Sequence, residues 1–208
     1  MEQASQKTPK SLEEFLRYHS KGLLDTIGRF FVKLGVHPNT VTILGLTGNF
    51  IAAGLLAYGH ITIGGLIVLV CGPLDALDGA IARLRGEPSK FGAFVDSVTD
   101  RYSELIILAG LLVHFLLLND PLSSVIVYFA AAGSVLVSYV KSRAESLDYT
   151  AKVGLLTRVE RYLVLAPLLV FNLPVIAVWV IAIFANFTAL QRIWFVRKQA
   201  YAELDTQK

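Results

Sequence analysis

The chain has 208 residues, of which 54% are hydrophobic and only 17% charged, with a formal net charge of +3 and one cysteine, Cys71. Soluble domains carry about 25% charged residues, so this composition and a mean hydropathy of +0.58 exclude an ordinary soluble globule and point to the bilayer. A lone cysteine excludes an internal disulfide framework, and the length predicts one domain.

Residues 1–10 are polar and read as a disordered start; no apolar run follows Lys7 and Lys10 to make a secretory signal. Ser11, Glu13 and Glu14 then form a helix N-terminus. Phe15, Leu16, Leu23, Leu24, Ile27, Phe30, Phe31 and Leu34 recur at helical spacing, with Arg17, Lys21, Arg29 and Lys33 between them. A basic amphipathic helix over 11–34 is expected, lying in the membrane interface. Gly35-Val36-His37-Pro38-Asn39 ends it.

Six apolar segments follow, over 40–58, 61–82, 92–118, 121–146, 154–171 and 174–196. A helical crossing takes about 20 residues, so each is read as a span, within a domain covering 35–198. Residues 199–208 make a polar tail. The fold class is therefore an all-α membrane protein, with six transmembrane helices behind an amphipathic interfacial one. The turns Tyr58-Gly59-His60, Asn119-Asp120-Pro121 and Asn172-Leu173-Pro174 hold no Lys or Arg; all 19 basic residues lie toward the opposite helix ends or outside the helices. The positive-inside rule then places both termini, and any site among the basic loops, on the cytoplasmic side of the cell membrane.

Ionised side chains at the centre of a membrane helix cost about 2.5–3.5 kcal/mol each on insertion scales. Yet Asp75 and Asp78 stand three apart on one apolar segment, and Asp96, Asp100 and Glu104 four apart on the next. Each set shares a helical face. The short loop Arg83–Lys90 joins the two segments, which are expected to be antiparallel neighbours with their acids converging near the cytoplasmic surface. Pairing with Arg83 and Arg101 accommodates one or two of these acids, not four at two helical spacings. Hard oxygen ligands call for a hard cation, Mg²⁺ first and Mn²⁺ as a substitute.

Written out, the segment is Asp75-x-x-Asp78-Gly79-x-x-Ala82-Arg83, then Gly92-x-x-x-Asp96-x-x-x-Asp100: eight fixed residues within 26 positions. It resembles the signature of the CDP-alcohol phosphotransferase family. The resemblance implies a six-span enzyme, commonly dimeric, that moves a phosphatidyl-like group from a CDP-linked lipid to an alcohol. It implies that Asp75, Asp78, Asp96 and Asp100 surround the metal. Gly79 then leaves room for the nucleotide, Arg83 contacts its phosphate, and Asp100 serves as general base.

Further segments resemble the phosphatidylinositol-phosphate synthase branch of that family. His37-Pro38-Asn39-Thr40-Val41-Thr42 is similar to the start of its first span, which implies CDP contacts at Asn39 and Thr42; Asn39 stands where those enzymes often carry Asp. Ser89 falls at a nucleotide-contact position. Ser138-Tyr139-Val140-Lys141-Ser142-Arg143, Arg158-Val159-Glu160-Arg161 and Gln191-Arg192 are similar to segments of its last three spans. They imply an acceptor-phosphate site of Ser138, Lys141, Arg143, Arg161 and Arg192. Cations on three helices also suit a phosphorylated acceptor on physical grounds, since arginine holds phosphate bidentately. Inositol phosphate is the expected acceptor, with glycerol phosphate the main rival. A small membrane transporter is the alternative from another class, because buried acids also suit ion paths. No nucleic-acid partner is expected.

Overall fold

The structure, a computed structural model, describes residues 12–86 and 89–206, without the side chains of 12–21, 75 and 206. The expected disordered start at 1–10 lies outside the described residues. Among the described residues seven helices follow one another: α1 (Leu12–Lys33), α2 (Pro38–Ala57), α3 (Ile61–Leu84), α4 (Lys90–Leu117), α5 (Pro121–Glu145), α6 (Arg158–Val170) and α7 (Pro174–Thr206). Among the described residues there is no strand.

The turns explain where the helices stop. Gly59, Asn119 and Asn172 take φ values of 85°, 54° and 58°, the left-handed conformation that glycine and asparagine accept most readily. Each closes its helix with the same pair of backbone bonds. His60 N donates to Leu55 O and Gly59 N to Leu56 O; Asp120 N donates to Phe115 O and Asn119 N to Leu116 O; Leu173 N donates to Leu168 O and Asn172 N to Leu169 O. This Schellman arrangement satisfies the last carbonyls. Pro121 then opens α5, where its missing N–H costs nothing.

Six helices close into a ring. α2 packs against α3 and α4, α4 against α5, α5 against α7, α7 against α6, and α6 against α3. Leu56, Leu108, Leu111, Phe115, Val127, Leu169 and Ile181 are among the buried residues that fill it. Small residues let backbones approach: a Cβ at Gly110 would stand 2.4 Å from the Ala53 carbonyl of α2. The expected pairing of α3 with α4 is corrected, for these two are not among the closely packed pairs and α2 packs against both. A short loop fixes only the two ends that it joins.

Among the described residues four helices are long and apolar enough to cross a membrane: α2, α3, α5 and α7. α6 has 13 residues, about 20 Å at 1.5 Å per residue, short of a hydrocarbon core of about 30 Å. The segment read as a fifth span begins as irregular chain, with Leu156 buried. α4 has the length, 28 residues, but it carries Asp96, Asp100, Arg101 and Glu104. Outside the ring, α1 lies against α3. Leu24, Phe31 and Val32 pack there on Val41, Leu77 and Ile81, while Leu23, Ile27, Phe30 and Leu34 form a second, exposed apolar row. Residues 199–206, read as a tail, continue α7.

Candidate active site

A cavity of about 460 Å³ opens between the starts of α2 and α4 and the last turns of α3; its lining includes Asn39, Thr42, Asp78, Gly79, Arg83, Ser89 and Asp96. Every residue expected to contact the CDP-lipid thus lines one space, together with two of the motif carboxylates. The side chain of Asp75 lies outside the described residues.

Three local features shape this cavity. Ser89 is the N-cap of α4, and its hydroxyl accepts from Gly92 N at 2.9 Å. His37, Pro38 and Asn39 open α2, so two helix N-termini, each with a partial positive charge, border the same space. Helix N-termini with an arginine beside them suit an anionic group. Gly79 leaves volume there, since a Cβ built on it would meet nothing of the protein nearer than Arg83 Nη1 at 3.5 Å.

Asp78 is 4% exposed, and the hydroxyl of Thr42 donates to its Oδ2 at 2.5 Å. Thr42 is thereby tied to the motif as well as to the cavity wall. Among the described residues no three carboxylate, histidine or cysteine side chains gather into a cage for a metal. Two carboxylates on one cavity still fit a small divalent cation, because Mg²⁺ usually binds through one or two protein carboxylates and takes its other ligands from phosphates and water.

Asp100 follows Asp96 by one turn of α4. It lines a small cavity of about 60 Å³ inside the ring with Asn49, Ser103, Glu104, Arg158, Arg161 and Tyr162. Arg158 pairs with its Oδ1, and Arg101 approaches Oδ2 at 3.5 Å. One turn along α4, Glu104 receives both arms of a fork, Arg161 Nε to Oε1 at 2.6 Å and Nη2 to Oε2 at 2.9 Å. Arg161 Nη1 donates further to the Leu156 carbonyl at 3.3 Å. The reading by sequence missed Arg158 as a partner of Asp100. The signal was present: two bases three apart on α6 answer two acids four apart on α4.

The residues expected to hold the acceptor's phosphate are spread around this centre, and no described cavity is lined by all five. Arg161 is 2% exposed and committed to Glu104, which makes it a brace. Arg192 is 4% exposed; its Nε donates to Val153 O at 2.8 Å and its Nη1 to Val137 O at 2.5 Å. That places it beside the turn of α5 bearing Ser138 and Lys141. Ser138 lines a cavity of about 290 Å³ between α4 and α5 with Ser97, Arg101 and Ser142. Arg143 is exposed beside Ser146.

The loop before α6 is fastened to α7. Thr150 N and Oγ1 both donate to Gln199 Oε1 at 3.0 Å, and Gln199 Nε2 returns a bond to Thr150 O. Tyr149 donates to Glu203 at 2.9 Å, and that bond holds its phenol above the usual range. Leu156 N donates to Thr188 at 3.1 Å. These contacts fix the register in which Arg158 and Arg161 enter the ring.

A ring of helices, four of them among the described residues long and apolar enough to cross a membrane, with carboxylates and helix N-termini around one cavity, is the frame of a membrane protein suited to a phosphorylated ligand. Residues 35–190 match the family of CDP-alcohol phosphatidyltransferases, and the chain belongs to it. This membership displaces the transporter alternative. Archaetidylinositol phosphate synthase of Pyrococcus horikoshii is 35% identical over 88% of this chain and 96% of its own length. Phosphatidylinositol phosphate synthase of Streptomyces avermitilis is 33% identical over 93% of this chain and 85% of its own. The crystal structure of Mycobacterium tuberculosis phosphatidylinositol phosphate synthase with CDP-DAG bound superimposes with a TM-score of 0.76 at 28% identity, over 83% of this chain and 92% of that one. A structure of the same enzyme with manganese and citrate gives the same score.

Proposed function

We propose that this protein transfers a phosphatidyl-type group from a CDP-linked lipid, CDP-diacylglycerol or a CDP-archaeol type, to myo-inositol phosphate, releasing CMP and forming a phosphatidylinositol phosphate. The observation that carries the reading is the cavity shared by Asn39, Thr42, Asp78, Gly79, Arg83, Ser89 and Asp96. Three separate stretches of sequence meet there, and their helix N-termini and arginine suit a nucleotide diphosphate. The names of the related synthases and the CDP-DAG of the tuberculosis enzyme support it.

In this reading the cytidine diphosphate lies along the starts of α2 and α4, with Arg83 against its phosphates. The acceptor's hydroxyl attacks the lipid-side phosphorus, the bond from that phosphorus to the CMP oxygen breaks, and Asp100 takes the hydroxyl proton. Arg158 and Arg101 orient the Asp100 carboxylate. Asp75, Asp78, Asp96 and Asp100 would hold a divalent cation, Mg²⁺ with Mn²⁺ as a substitute, whose chemistry is to neutralise the diphosphate and the departing CMP; the manganese of the tuberculosis enzyme supports this. Ser138, Lys141, Arg143 and Arg192 grip the acceptor's own phosphate, and Arg161 braces that side through Glu104.

The same reading counts six spans. The irregular stretch before α6 completes a short fifth one, which is tolerated where such backbone is buried in protein, and the charges of α4 turn into the ring. The exposed apolar row of α1 rests in the interface, both termini and the cavity face the cytoplasm, and the enzyme works as a homodimer. The test is CMP release by purified protein from one CDP-lipid, compared across inositol phosphate, inositol, glycerol phosphate and serine. Inositol phosphate should give the highest kcat/KM. A preference for glycerol phosphate makes it a phosphatidylglycerophosphate synthase; no release with any acceptor ends the reading.

A further inference from the structure

The hydrogen-bond ladder of α3 lacks one donor near its middle, a break in the ladder and not in the helix. Pro73 lies inside the helix and has no N–H, so the carbonyl of Leu69, four residues earlier, loses its helical donor. In a membrane helix such a carbonyl must find another partner or stay unsatisfied in hydrocarbon. Here the partner comes from α6. The hydroxyl of Tyr162 lies 2.6 Å from Leu69 O and 3.0 Å from Val68 O. It has one proton to give, and the nearer acceptor is the one that Pro73 leaves without a donor.

The sequence makes room for this contact. A Cβ on Gly72 would stand 2.1 Å from the Tyr162 ring, so only glycine lets the ring reach the break. The break falls immediately before the stretch Asp75–Arg83, which bears Asp78, Gly79 and Arg83 of the cavity wall.

We infer that Tyr162 is a positioning residue: by bonding the carbonyl stranded by Pro73, it sets the direction in which the second half of α3 leaves the break, and with it the place of the Asp78 carboxylate opposite Asp96. The inference rests on the proposed function only in taking these carboxylates as a cation site.

The experiment is a double-mutant cycle with the full chain in detergent, using Tyr162→Phe and Pro73→Ala. The readouts are Mn²⁺ binding by electron paramagnetic resonance, the acceptor's KM, and Tm. Tyr162→Phe keeps the ring and removes the bond. It should weaken Mn²⁺ binding about threefold to tenfold, the range of one net hydrogen bond, and leave the acceptor's KM unchanged. In the Pro73→Ala background residue 73 regains an N–H for Leu69 O, so the same change should cost less than about twofold, since the carbonyl no longer needs the hydroxyl. Gly72→Ala, which displaces the ring, should weaken Mn²⁺ binding as well. Equal penalties in both backgrounds, or a fall in Tm with Mn²⁺ affinity intact, overturn the inference. Mn²⁺ binding needs no turnover, so the two readings fail separately. A chain that binds Mn²⁺ with this coupling but releases no CMP removes the proposed function alone. One that turns over with uncoupled Mn²⁺ binding removes the inference alone, and absence of Mn²⁺ binding sinks both.

Discussion

Arg161→Ala should act on stability before it acts on any substrate. The guanidinium is 2% exposed, its fork spans 2.6 and 2.9 Å to Glu104, and the Glu104 side chain is itself 18% exposed. Removing the arginine strands a carboxylate inside the ring, a loss of about 3–5 kcal/mol for a buried pair broken on one side. For a chain of this size each kcal/mol moves Tm by roughly 2–4 °C, so a fall on the order of 10 °C is expected. Tryptophan fluorescence in one fixed detergent, at one scan rate, measures it, because membrane proteins often unfold irreversibly. Arg161→Met combined with Glu104→Leu should recover most of the loss, since an apolar pair of similar volume often replaces a buried ion pair without cost. The two single changes and the double then give the coupling energy directly. An Arg161→Ala protein with unchanged Tm and an acceptor KM raised tenfold or more would refute the reasoning and return Arg161 to direct contact with phosphate.

A chelator should abolish CMP release, and Mg²⁺ or Mn²⁺ should restore it; full turnover in metal-free buffer would remove the cation from the scheme. Asp100→Asn should lower kcat by about 10²–10⁴, the usual contribution of a general base, while CDP-lipid still binds, as equilibrium binding of a labelled donor would show. Near-normal turnover in that variant would place the base on another group.

Much of the fold was legible because its punctuation is local. Asn119 and Asn172 each stand two residues before a proline, Gly59 stands between two apolar segments, and all three mark helix ends by backbone chemistry alone. Hydropathy gave the apolar segments but not their conformation. Residues 154–157 were read as the start of a span, yet they run irregularly into α6, with Gly154 at φ 146° and a Cβ there barred at 2.4 Å by Thr188. That contact belongs to α7, some thirty positions away in the chain, and no local pattern carries it. The placing of α2 against both α3 and α4 was hidden for the same reason: it depends on small surfaces meeting, such as Gly110 on Ala53.

The site divides along the same line. Residues whose spacing is fixed by one helix turn or one loop, Asp78 with Gly79 and Arg83, or Ser89 with Gly92 and Asp96, were readable as a set because a rigid element carries each set to the cavity intact. The cations were not, because charge on a helix end looks alike whether it meets solvent, a substrate or a buried acid. Arg158 and Arg161 show the distinction. They are three residues apart, yet one is 43% exposed by its side chain and the other 2%. Only the carboxylates that they face, Asp100 and Glu104, assign their work. Buried acids therefore have to be balanced before surface cations are allotted to a substrate. With Asp100 and Glu104 balanced by Arg158 and Arg161, the proposal of an acceptor-phosphate site rests on the cations along α5, beside which Arg192 bonds the Val137 carbonyl.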